Sequence, residues 1–333
     1  MSALKIIIPA ILVVLILAVA CLVYAYVGAV DVGDRVVSVI IEPGDSFSSV
    51  AECLLAEGVV HSRRMLYYAA RWRGVERSLT PGRYDFSGRN SCHSVLDRLA
   101  LADFVRIRVT VYEGAPIWKT ASILSEQMEI DSAEVIVLNH DSAFLESLDL
   151  PCLEGYLFPQ TYFFPWGTPL HDVIREMVAM FRTQTDEVWL QEIPNGLTRE
   201  DVIVLASIVE AEAGTDDEKP IIASVYHNRL KKRMRLDADP TVIYGLGGLD
   251  RPLMKKDLRR ITPYNTYRMR GLPPTPINSP GLAAIRAALY PDSSAYYYFV
   301  ANGNGQHRFS RTNAEHNRAR YEIRRALKVQ QGK

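Results

Sequence analysis

The N-terminal segment constrains the fold of this chain more than any other feature of its sequence. From Ile6 to Val30 there is no charged residue, and Ile, Leu, Val and Ala dominate the segment. About 20 apolar residues are enough for a helix to cross the hydrocarbon core of a membrane. A cleaved signal peptide would have a shorter apolar region followed by a small-residue cleavage site. The sequence therefore predicts a transmembrane anchor within residues 1–30.

The charges on either side of this segment predict its orientation. Lys5 precedes the apolar residues, whereas Asp31 and Asp34 follow them. By the positive-inside rule, the basic flank stays in the cytoplasm. We therefore expect a single-pass protein of the cytoplasmic (inner) membrane, with its N-terminus in the cytoplasm and the rest of the chain on the extracytoplasmic, periplasmic side.

The composition of the whole chain is that of a folded globular protein. Of its 333 residues, 48% are hydrophobic and 23% are charged, and the length suits two or three domains. Lys plus Arg and Asp plus Glu both number 38. Because an overall basic excess is missing, nucleic acid is not an expected partner. The C-terminal region is locally basic, which we interpret as a solvated helix face; its cations are Arg318, Arg320, Arg324, Arg325 and Lys328.

The sequence carries no signature of a metal site or of several common enzyme classes. The four cysteines, Cys21, Cys53, Cys92 and Cys152, include no pair with metal-ligand spacing. An oxidising compartment would permit a Cys53–Cys92 disulfide, and buried free thiols fit the sequence equally well. No HExxH, GxSxG or P-loop pattern is present, so protease, esterase and NTPase functions lack support. We expect neither a metal nor a cofactor.

Strand, helix and turn patterns predict an α+β fold. A β-branched strand over Arg35–Glu42 is followed by two helices and by the short strand "GRYDF". A connecting α+β segment is expected over 105–175. The region 176–333 is expected to be mainly helical and to contain a β-hairpin, whose turn is Asn302–Gly305.

The segment "LTREDVIVLASIVEAEAG" predicts a buried helix with two acidic residues near its end. Thr198 and Asp201 form a capping-box pattern at its start, and Gly214 favours a left-handed stop at its end. Between these residues the helix is apolar on nearly every side, which is typical of a helix within a domain core. Glu210 and Glu212 are the exceptions, and they point about 160° apart on a helix.

Glu210 is the candidate for acid–base chemistry. Burial raises the pKa of a carboxyl group toward neutrality, which a general acid requires. A salt bridge to a basic residue such as Arg229 or Arg233 is the alternative interpretation of Glu210. Glycoside hydrolysis would need a second carboxylate from Asp237 or Asp239, although Asp before Pro is also common in turns and helix caps.

Five motifs, in a fixed order, make the chain similar to a known family. They are "ASIVEAEAG" (206–214), "ASVYHNRL" (223–230), "MRLDADPTVIYGLG" (234–247), "YNTYRMRGLPPTPINSPG" (264–281) and "YYYFVANGNGQHRFSRTNAEHN" (296–317). Together with "EGYLFPQTY" (154–162), they resemble the YceG-like endolytic murein transglycosylases, from about residue 36 to residue 325.

The resemblance implies a membrane-anchored enzyme that cleaves nascent peptidoglycan strands internally and needs no cofactor. Residues 35–104 would be a LysM-like module of β–α–α–β order, and residues 176–333 the catalytic transglycosylase domain. The catalytic glutamate of the family falls on Glu210. Its partners would be peptidoglycan glycan strands and, beside them, glycan polymerases and transpeptidases. The substrate-binding residues implied by the motifs are Glu212, Asp239, Thr241, Tyr244, Asn265, Thr266 and Tyr267.

The implied reaction is lytic transglycosylation of the bond between MurNAc and GlcNAc. Glu210 would protonate the glycosidic oxygen and then remove the proton of the MurNAc C6 hydroxyl, which closes on C1 to give a 1,6-anhydroMurNAc end. Asn265, Thr266 or Tyr267 would stabilise the charge that develops on the sugar ring. Two alternatives stay open: a hydrolytic muramidase in which an aspartate activates water, and a non-catalytic glycan-binding scaffold of the cell-wall synthesis machinery.

Overall fold

A computed structural model describes residues 2–190 and 192–331, and it describes no side chains at 2–6, 9–10 and 328–331. The protein is an α+β protein, as predicted, and its strands form small two-stranded sheets. The chain divides into two compact units, Met1–Ile107 with Phe163–Thr168 and Arg108–Tyr162 with Pro169–Lys333.

The first unit is built around the strand–helix–helix–strand order that the sequence predicts. Strand β2 pairs with β3 in antiparallel register, from Val37 opposite Phe86 to Ile41 opposite Gly82. Alternate residues of both strands are buried against the helices. The elements of this part of the chain are α1 (Ser2–Val27), β1 (Ala29–Asp31), β2 (Val37–Ile41), α2 (Phe47–Ala56), α3 (Arg63–Arg73), β3 (Gly82–Phe86), β4 (Arg89–Ser91) and α4 (Cys92–Ala100).

The predicted membrane anchor coincides with helix α1, which runs from Ser2 to Val27. Over the residues that the structure describes, no helix combines the length and the apolar character needed to cross a membrane. The predicted anchor is therefore not confirmed.

The second unit is mainly helical. Its central helix α9 packs against α10 and α12, and the eight consecutive residues Val202–Val209 of α9 are all buried. The elements from Arg106 onward are β5 (Arg106–Thr110), α5 (Ile117–Met128), α6 (Ser132–Leu138), α7 (Ser142–Ser147), β6 (Thr161–Pro165), α8 (Leu170–Thr185), α9 (Arg199–Glu212), α10 (Lys219–Lys231), α11 (Asp239–Gly245), α12 (Leu282–Leu289), β7 (Tyr298–Ala301), β8 (His307–Ser310) and α13 (Asn313–Gln331).

The β-hairpin near the C-terminus is also confirmed. Strand β7 pairs with β8 in antiparallel register, from Tyr298 opposite Ser310 to Ala301 opposite His307. The connection contains Gly303 and Gly305, both with positive φ, which only glycine adopts without strain. The predicted turn therefore lies where the sequence indicates it.

The start of α9 matches the prediction and its end does not. The Thr198 side chain accepts a hydrogen bond from the Asp201 backbone N–H, and the Asp201 side chain accepts one from the Thr198 N–H. The C-terminal cap, however, is Ala213 with φ −75° and ψ 131°. Gly214 is not in the left-handed region; a Cβ atom there would lie 2.1 Å from the carbonyl oxygen of Gly305. The glycine therefore permits a close approach of two backbones.

The cysteines are all free thiols in this structure. Cys53 is exposed, whereas Cys92 and Cys152 are buried. Of the two interpretations that the sequence leaves open, the structure has the free thiols and no Cys53–Cys92 disulfide.

Candidate active site

A cavity of about 450 Å³ in the second unit is lined by several carboxyl and phenol side chains. Its acidic side is formed by Glu212, the last residue of α9, and by Asp237 and Asp239, which lie just before α11 and at its first residue. Tyr226 of α10 and Tyr267 add two phenol groups to this side of the cavity.

Glu212 has the environment of a general acid. Tyr226 donates a hydrogen bond from Oη to Glu212 Oε1 at 3.2 Å. Burial, together with the nearby charge of Asp239, raises the pKa of Glu212 to about 7. The Tyr226 hydrogen bond and the charge of Arg229 act in the opposite direction. A carboxyl group with a pKa near 7 can both donate and accept a proton at neutral pH.

Asp239 is held in place at the edge of the cavity. Tyr267 donates a hydrogen bond from Oη to Asp239 Oδ1 at 2.6 Å. Burial, together with this hydrogen bond, raises the pKa of Tyr267 well above its ordinary value, so the phenol stays protonated and keeps donating. The Asp239 carboxyl group is therefore positioned near Glu212, and it forms no ion pair with an arginine or lysine among the described residues.

Arg229 provides the buried positive charge of this region. Its Nε donates to the Tyr297 carbonyl at 2.6 Å and its Nη1 to the Leu236 carbonyl at 2.7 Å. Nη1 also lies 3.5 Å from Asp237 Oδ2. Through these hydrogen bonds Arg229 connects α10 to the loop before α11 and to Tyr297, the residue that precedes β7.

Glu210 lies in a different environment from Glu212. Lys219 Nζ is 2.9 Å from Glu210 Oε1, and the Gly281 backbone N–H donates to Glu210 Oε2 at 2.9 Å. The side chain of Lys219 is only 4% exposed and that of Glu210 9%. The basic partner of Glu210 is therefore Lys219, and not Arg229 or Arg233 as the sequence suggested. Glu210 is not among the residues that line the cavity of Glu212.

Lys219 joins Glu210 to two further carboxylates. Its Nζ lies 2.7 Å from Asp216 Oδ1 and 3.7 Å from Glu113 Oε2. Asp216 and Glu113 are largely exposed, so the buried part of the cluster is the pair of Glu210 and Lys219. This arrangement joins the C-terminal half of α9 to the start of α10.

Three of the predicted substrate-binding residues are fully buried and do not line the cavity of Glu212. Thr241, Asn265 and Thr266 are each 0% exposed. Thr266 Oγ1 accepts a hydrogen bond from the Ala238 N–H at 3.0 Å and lies 2.8 Å from Thr241 Oγ1. The Asn265 amide donates to the backbone in the 258–260 turn. These residues organise the loops that carry Asp239 and Tyr267, and their direct contact with substrate stays a prediction.

Tyr244 lies in a separate cavity of about 440 Å³. Its ring is 5.0 Å from that of Trp118 and 4.8 Å from that of Tyr264. Behind it, Glu154 is 1% exposed, and burial raises the pKa of its carboxyl group to about 7. The structure therefore brings Asp239, Tyr267 and Glu212 together but leaves Tyr244 apart from them.

Sequence reasoning missed several residues that line the cavity of Glu212. Tyr226 and Arg229 lie in the motif "ASVYHNRL" on α10. Their place in a family motif was the sequence signal that could have indicated them as site residues. His227 of the same motif does not line this cavity; its ring bonds to Asn195 and to the Ala288 carbonyl. The remaining lining residues that were not predicted include Tyr298, His307, His316 and Arg320.

The described residues contain no cluster of three or more His, Cys, Asp or Glu side chains that could hold a metal ion.

Comparison with known proteins identifies relatives over most of the chain. The model of the YceG-like family matches residues 39–322. A protein of Bacillus subtilis (strain 168) named endolytic murein transglycosylase is 32% identical over 304 residues, which are 85% of this chain and 84% of the relative. A protein of the same name from Streptococcus pneumoniae is 32% identical over 177 residues, 49% of this chain and 32% of the relative.

A solved structure has the same fold. The crystal structure of a yceG-like protein from Listeria monocytogenes superimposes with a TM-score of 0.56 at 29% sequence identity. The match covers 86% of this chain and 99% of the other.

Proposed function

The chain belongs to the YceG-like family, and from this membership and the geometry of the cavity we propose that Glu212 carries the acid–base chemistry of a peptidoglycan lytic transglycosylase. The protein is an enzyme, a lyase that cleaves peptidoglycan glycan strands. The observation that carries the assignment of Glu212 is its raised pKa of about 7 in a cavity that also holds Asp239 and Tyr226.

The proposed reaction needs one carboxyl group that changes its role. Protonated Glu212 donates its proton to the glycosidic oxygen between MurNAc and GlcNAc, and the C1–O bond of MurNAc breaks. The resulting carboxylate then accepts the proton of the MurNAc C6 hydroxyl, whose oxygen forms a bond to C1. The products are a 1,6-anhydroMurNAc end and a free GlcNAc hydroxyl. Because the nucleophile belongs to the substrate, no water and no second acid are required.

Asp239 is suited to a supporting role in this reaction. Positive charge develops on the sugar ring as the C1–O bond breaks, and an oriented carboxylate nearby stabilises it. Tyr267 keeps the Asp239 carboxylate oriented through the 2.6 Å hydrogen bond. The charge of Asp239 also contributes to the raised pKa of Glu212.

The sequence motif favours Glu210 as the acid, and the contacts of the two glutamates favour Glu212. Glu210 has a lysine ion pair and a backbone donor on its two oxygens. Glu210 also does not line the cavity that holds Glu212 and Asp239. We therefore propose that Glu210 and Lys219 position the end of α9, and that Glu212 reacts.

Two isosteric variants separate these assignments. We expect Glu212→Gln to lower the rate of strand cleavage by about 10³-fold, since general acid–base catalysis typically contributes 10²–10⁴-fold. Glu210→Gln leaves Lys219 without its buried partner, so we expect a lower melting temperature and a smaller loss of rate. The measurement is digestion of purified glycan strands, with melting temperatures as the control for folding. A folded Glu210→Gln variant without activity, beside an active Glu212→Gln, would return the acid to Glu210.

The chemical identity of the products distinguishes the reaction from hydrolysis. Mass spectrometry of the digested strands is expected to find 1,6-anhydroMurNAc ends. Reducing MurNAc ends would instead indicate a muramidase in which an aspartate such as Asp239 activates water.

We also propose that helix α1 anchors the enzyme to the cytoplasmic membrane, with the second unit on the extracytoplasmic side. The proposal is supported by the uncharged segment Ile6–Val30 and by apolar side chains of α1 that are more than half exposed, among them Ile11, Leu15, Val19 and Val23. An anchor would keep the enzyme where new strands emerge, beside glycan polymerases and transpeptidases.

A LysM-like glycan-binding role for the first unit is a further proposal. It is supported by the β2–α2–α3–β3 order and by a cavity of about 540 Å³ that Tyr67, Tyr68 and Arg63 help to line. Aromatic rings beside polar donors suit a sugar, whose C–H faces stack on the rings and whose hydroxyls accept hydrogen bonds.

A further inference from the structure

The wall of the Glu212 cavity formed by β7 and α13 has the opposite electrostatic character from its floor. The floor carries the carboxyl groups of Glu212, Asp237 and Asp239. The wall carries His316 and Arg320 of α13. Arg320 is exposed, as the sequence interpretation of the basic C-terminal region as a solvated face predicts, and it also lines the cavity.

The wall begins with a stack of three side chains. The guanidinium carbon of Arg229 lies 5.3 Å from the ring centroid of Tyr298. The rings of Tyr298 and His316 are stacked, with centroids 5.5 Å apart and planes inclined by 28°. The stack holds the His316 ring in a defined orientation, since ring contacts on this scale favour a fixed geometry.

His316 has an unused hydrogen-bonding atom. Its Nδ1 is buried and has no hydrogen-bond partner among the described residues. Burial and the charges of Arg320 and Arg229 lower the pKa of His316. A buried polar nitrogen without a partner costs free energy, and a ligand that bonds to it removes that cost.

Arg320 is an exposed cation that lines the same cavity. It makes no hydrogen bond and no ion pair with any residue that the structure describes. Its charge differs in this respect from that of Arg229, which is bound to backbone carbonyls and lies near Asp237. The guanidinium of Arg320 is therefore available to an anion that enters the cavity.

From these contacts we propose that Arg320 and His316 bind a carboxylate carried by the muramyl residue of the substrate; the inference rests on the proposed function of the cavity. The sugar rings of a glycan strand are uncharged. The carboxylates of peptidoglycan lie on the peptide attached to the lactyl group of MurNAc, or on the lactyl group itself once the peptide has been removed. Arginine presents a planar fork of donors that matches a carboxylate.

The position of Arg320 would also orient the bound substrate within the cavity. An anion is repelled from the floor by Asp239 and attracted to the wall by Arg320. A muramyl residue would therefore orient its substituent toward α13 and its glycosidic bond toward Glu212. Arg320 would select the sugar that carries the carboxylate, in this case MurNAc over GlcNAc.

The test measures binding separately from cleavage. Wild-type protein, Arg320→Gln and the control Arg318→Gln are sedimented with three preparations of insoluble peptidoglycan: intact, with its peptides removed by an amidase, and with its carboxylates converted to amides by a carbodiimide and ammonia. Arg318 lies on the same helix, is exposed and does not line the cavity. Cleavage products are assayed in parallel, so a loss of the acid assignment and a loss of this inference are seen in different readouts.

We expect Arg320→Gln to weaken binding to intact peptidoglycan by about tenfold, since a hydrogen bond to a charged group contributes on this scale. Amidation should weaken wild-type binding by a similar factor and leave Arg320→Gln unchanged. If peptide removal preserves wild-type binding, the carboxylate is that of the lactyl group; if it weakens binding, the carboxylate belongs to the peptide. Equal binding of Arg320→Gln and wild type, or an equal loss in Arg318→Gln, would overturn the inference.

Discussion

Glu210 and Glu212 lie two positions apart in one helix and meet opposite electrostatic environments. Glu210 is paired with a buried lysine at 2.9 Å. Glu212 has a tyrosine donor and a nearby aspartate, and its pKa is raised to about 7. The sequence predicts that the two side chains point in different directions. It does not indicate which of them lies beside Lys219.

Tyr226 tunes the acidity of Glu212, and its removal gives a pH-dependent prediction. The Tyr226 hydroxyl bonds to the ionised carboxylate and so lowers the pKa of Glu212. Tyr226→Phe should therefore raise this pKa, by about one unit if the lost bond is of ordinary strength. Because the proposed reaction starts with protonated Glu212, activity should be lost as pH rises through this pKa. The alkaline limb of the pH–rate profile should move to higher pH.

The matched control for this prediction is Tyr290→Phe. The Tyr290 hydroxyl donates to the Val188 carbonyl at 2.7 Å, and Tyr290 does not line the cavity. Its profile should keep the wild-type limb. An alkaline limb in Tyr226→Phe that stays in place or moves to lower pH would contradict the assignment of Glu212.

At the scale of elements, the end of α9 meets the turn of the β7–β8 hairpin. A Cβ atom on Gly214 would lie 2.1 Å from the Gly305 carbonyl oxygen and 3.1 Å from the carbonyl carbon. These are backbone atoms, which cannot move away by a change of rotamer. The contact holds a hairpin that carries several lining residues of the cavity, including Tyr298 and His307, beside the helix that carries Glu212.

Gly214→Ala should therefore separate these two elements. We expect a loss of about 2 kcal/mol in the free energy of unfolding, the scale of an overpacked contact, together with a loss of glycan-strand cleavage. Urea denaturation and strand digestion measure the two effects. Ala211→Ser, at an exposed position of the same helix, is the control. Wild-type stability and activity in Gly214→Ala would show that the close approach is not required.

At the scale of the whole molecule, the proposed anchor can be tested in the full-length chain. Leu15→Lys combined with Val19→Lys places two charges in the middle of α1, where each would cost about 2.5–3.5 kcal/mol in a membrane-spanning helix. We expect wild-type protein to stay with membranes in alkaline carbonate and the double variant to be released.

The control for the anchor changes two apolar residues outside α1. Val36 and Leu101 are 57% and 78% exposed. Val36→Lys combined with Leu101→Lys should leave the protein with the membranes. Release of wild-type protein by carbonate would contradict the proposal.

Local patterns allowed the sequence to determine much of this protein by itself. The capping box at Thr198, the hairpin through Asn302–Gly305 and the β–α–α–β order depend on neighbouring residues, whose preferences are readable along the chain. The ordered motifs likewise identified the family that the comparisons show. The class of reaction follows from that membership.

Only the tertiary structure decided which side chains share a cavity. Glu212, Tyr267 and Arg320 are far apart in sequence and belong to different elements, yet they line one cavity. Lys219 pairs with Glu210 because the start of α10 returns to α9, and a Cβ atom on Gly214 would meet the Gly305 carbonyl because the hairpin lies against the end of that helix. Burial and charge act through space. The pKa of a glutamate, and whether an arginine has a partner, therefore depend on residues that local sequence patterns do not bring together.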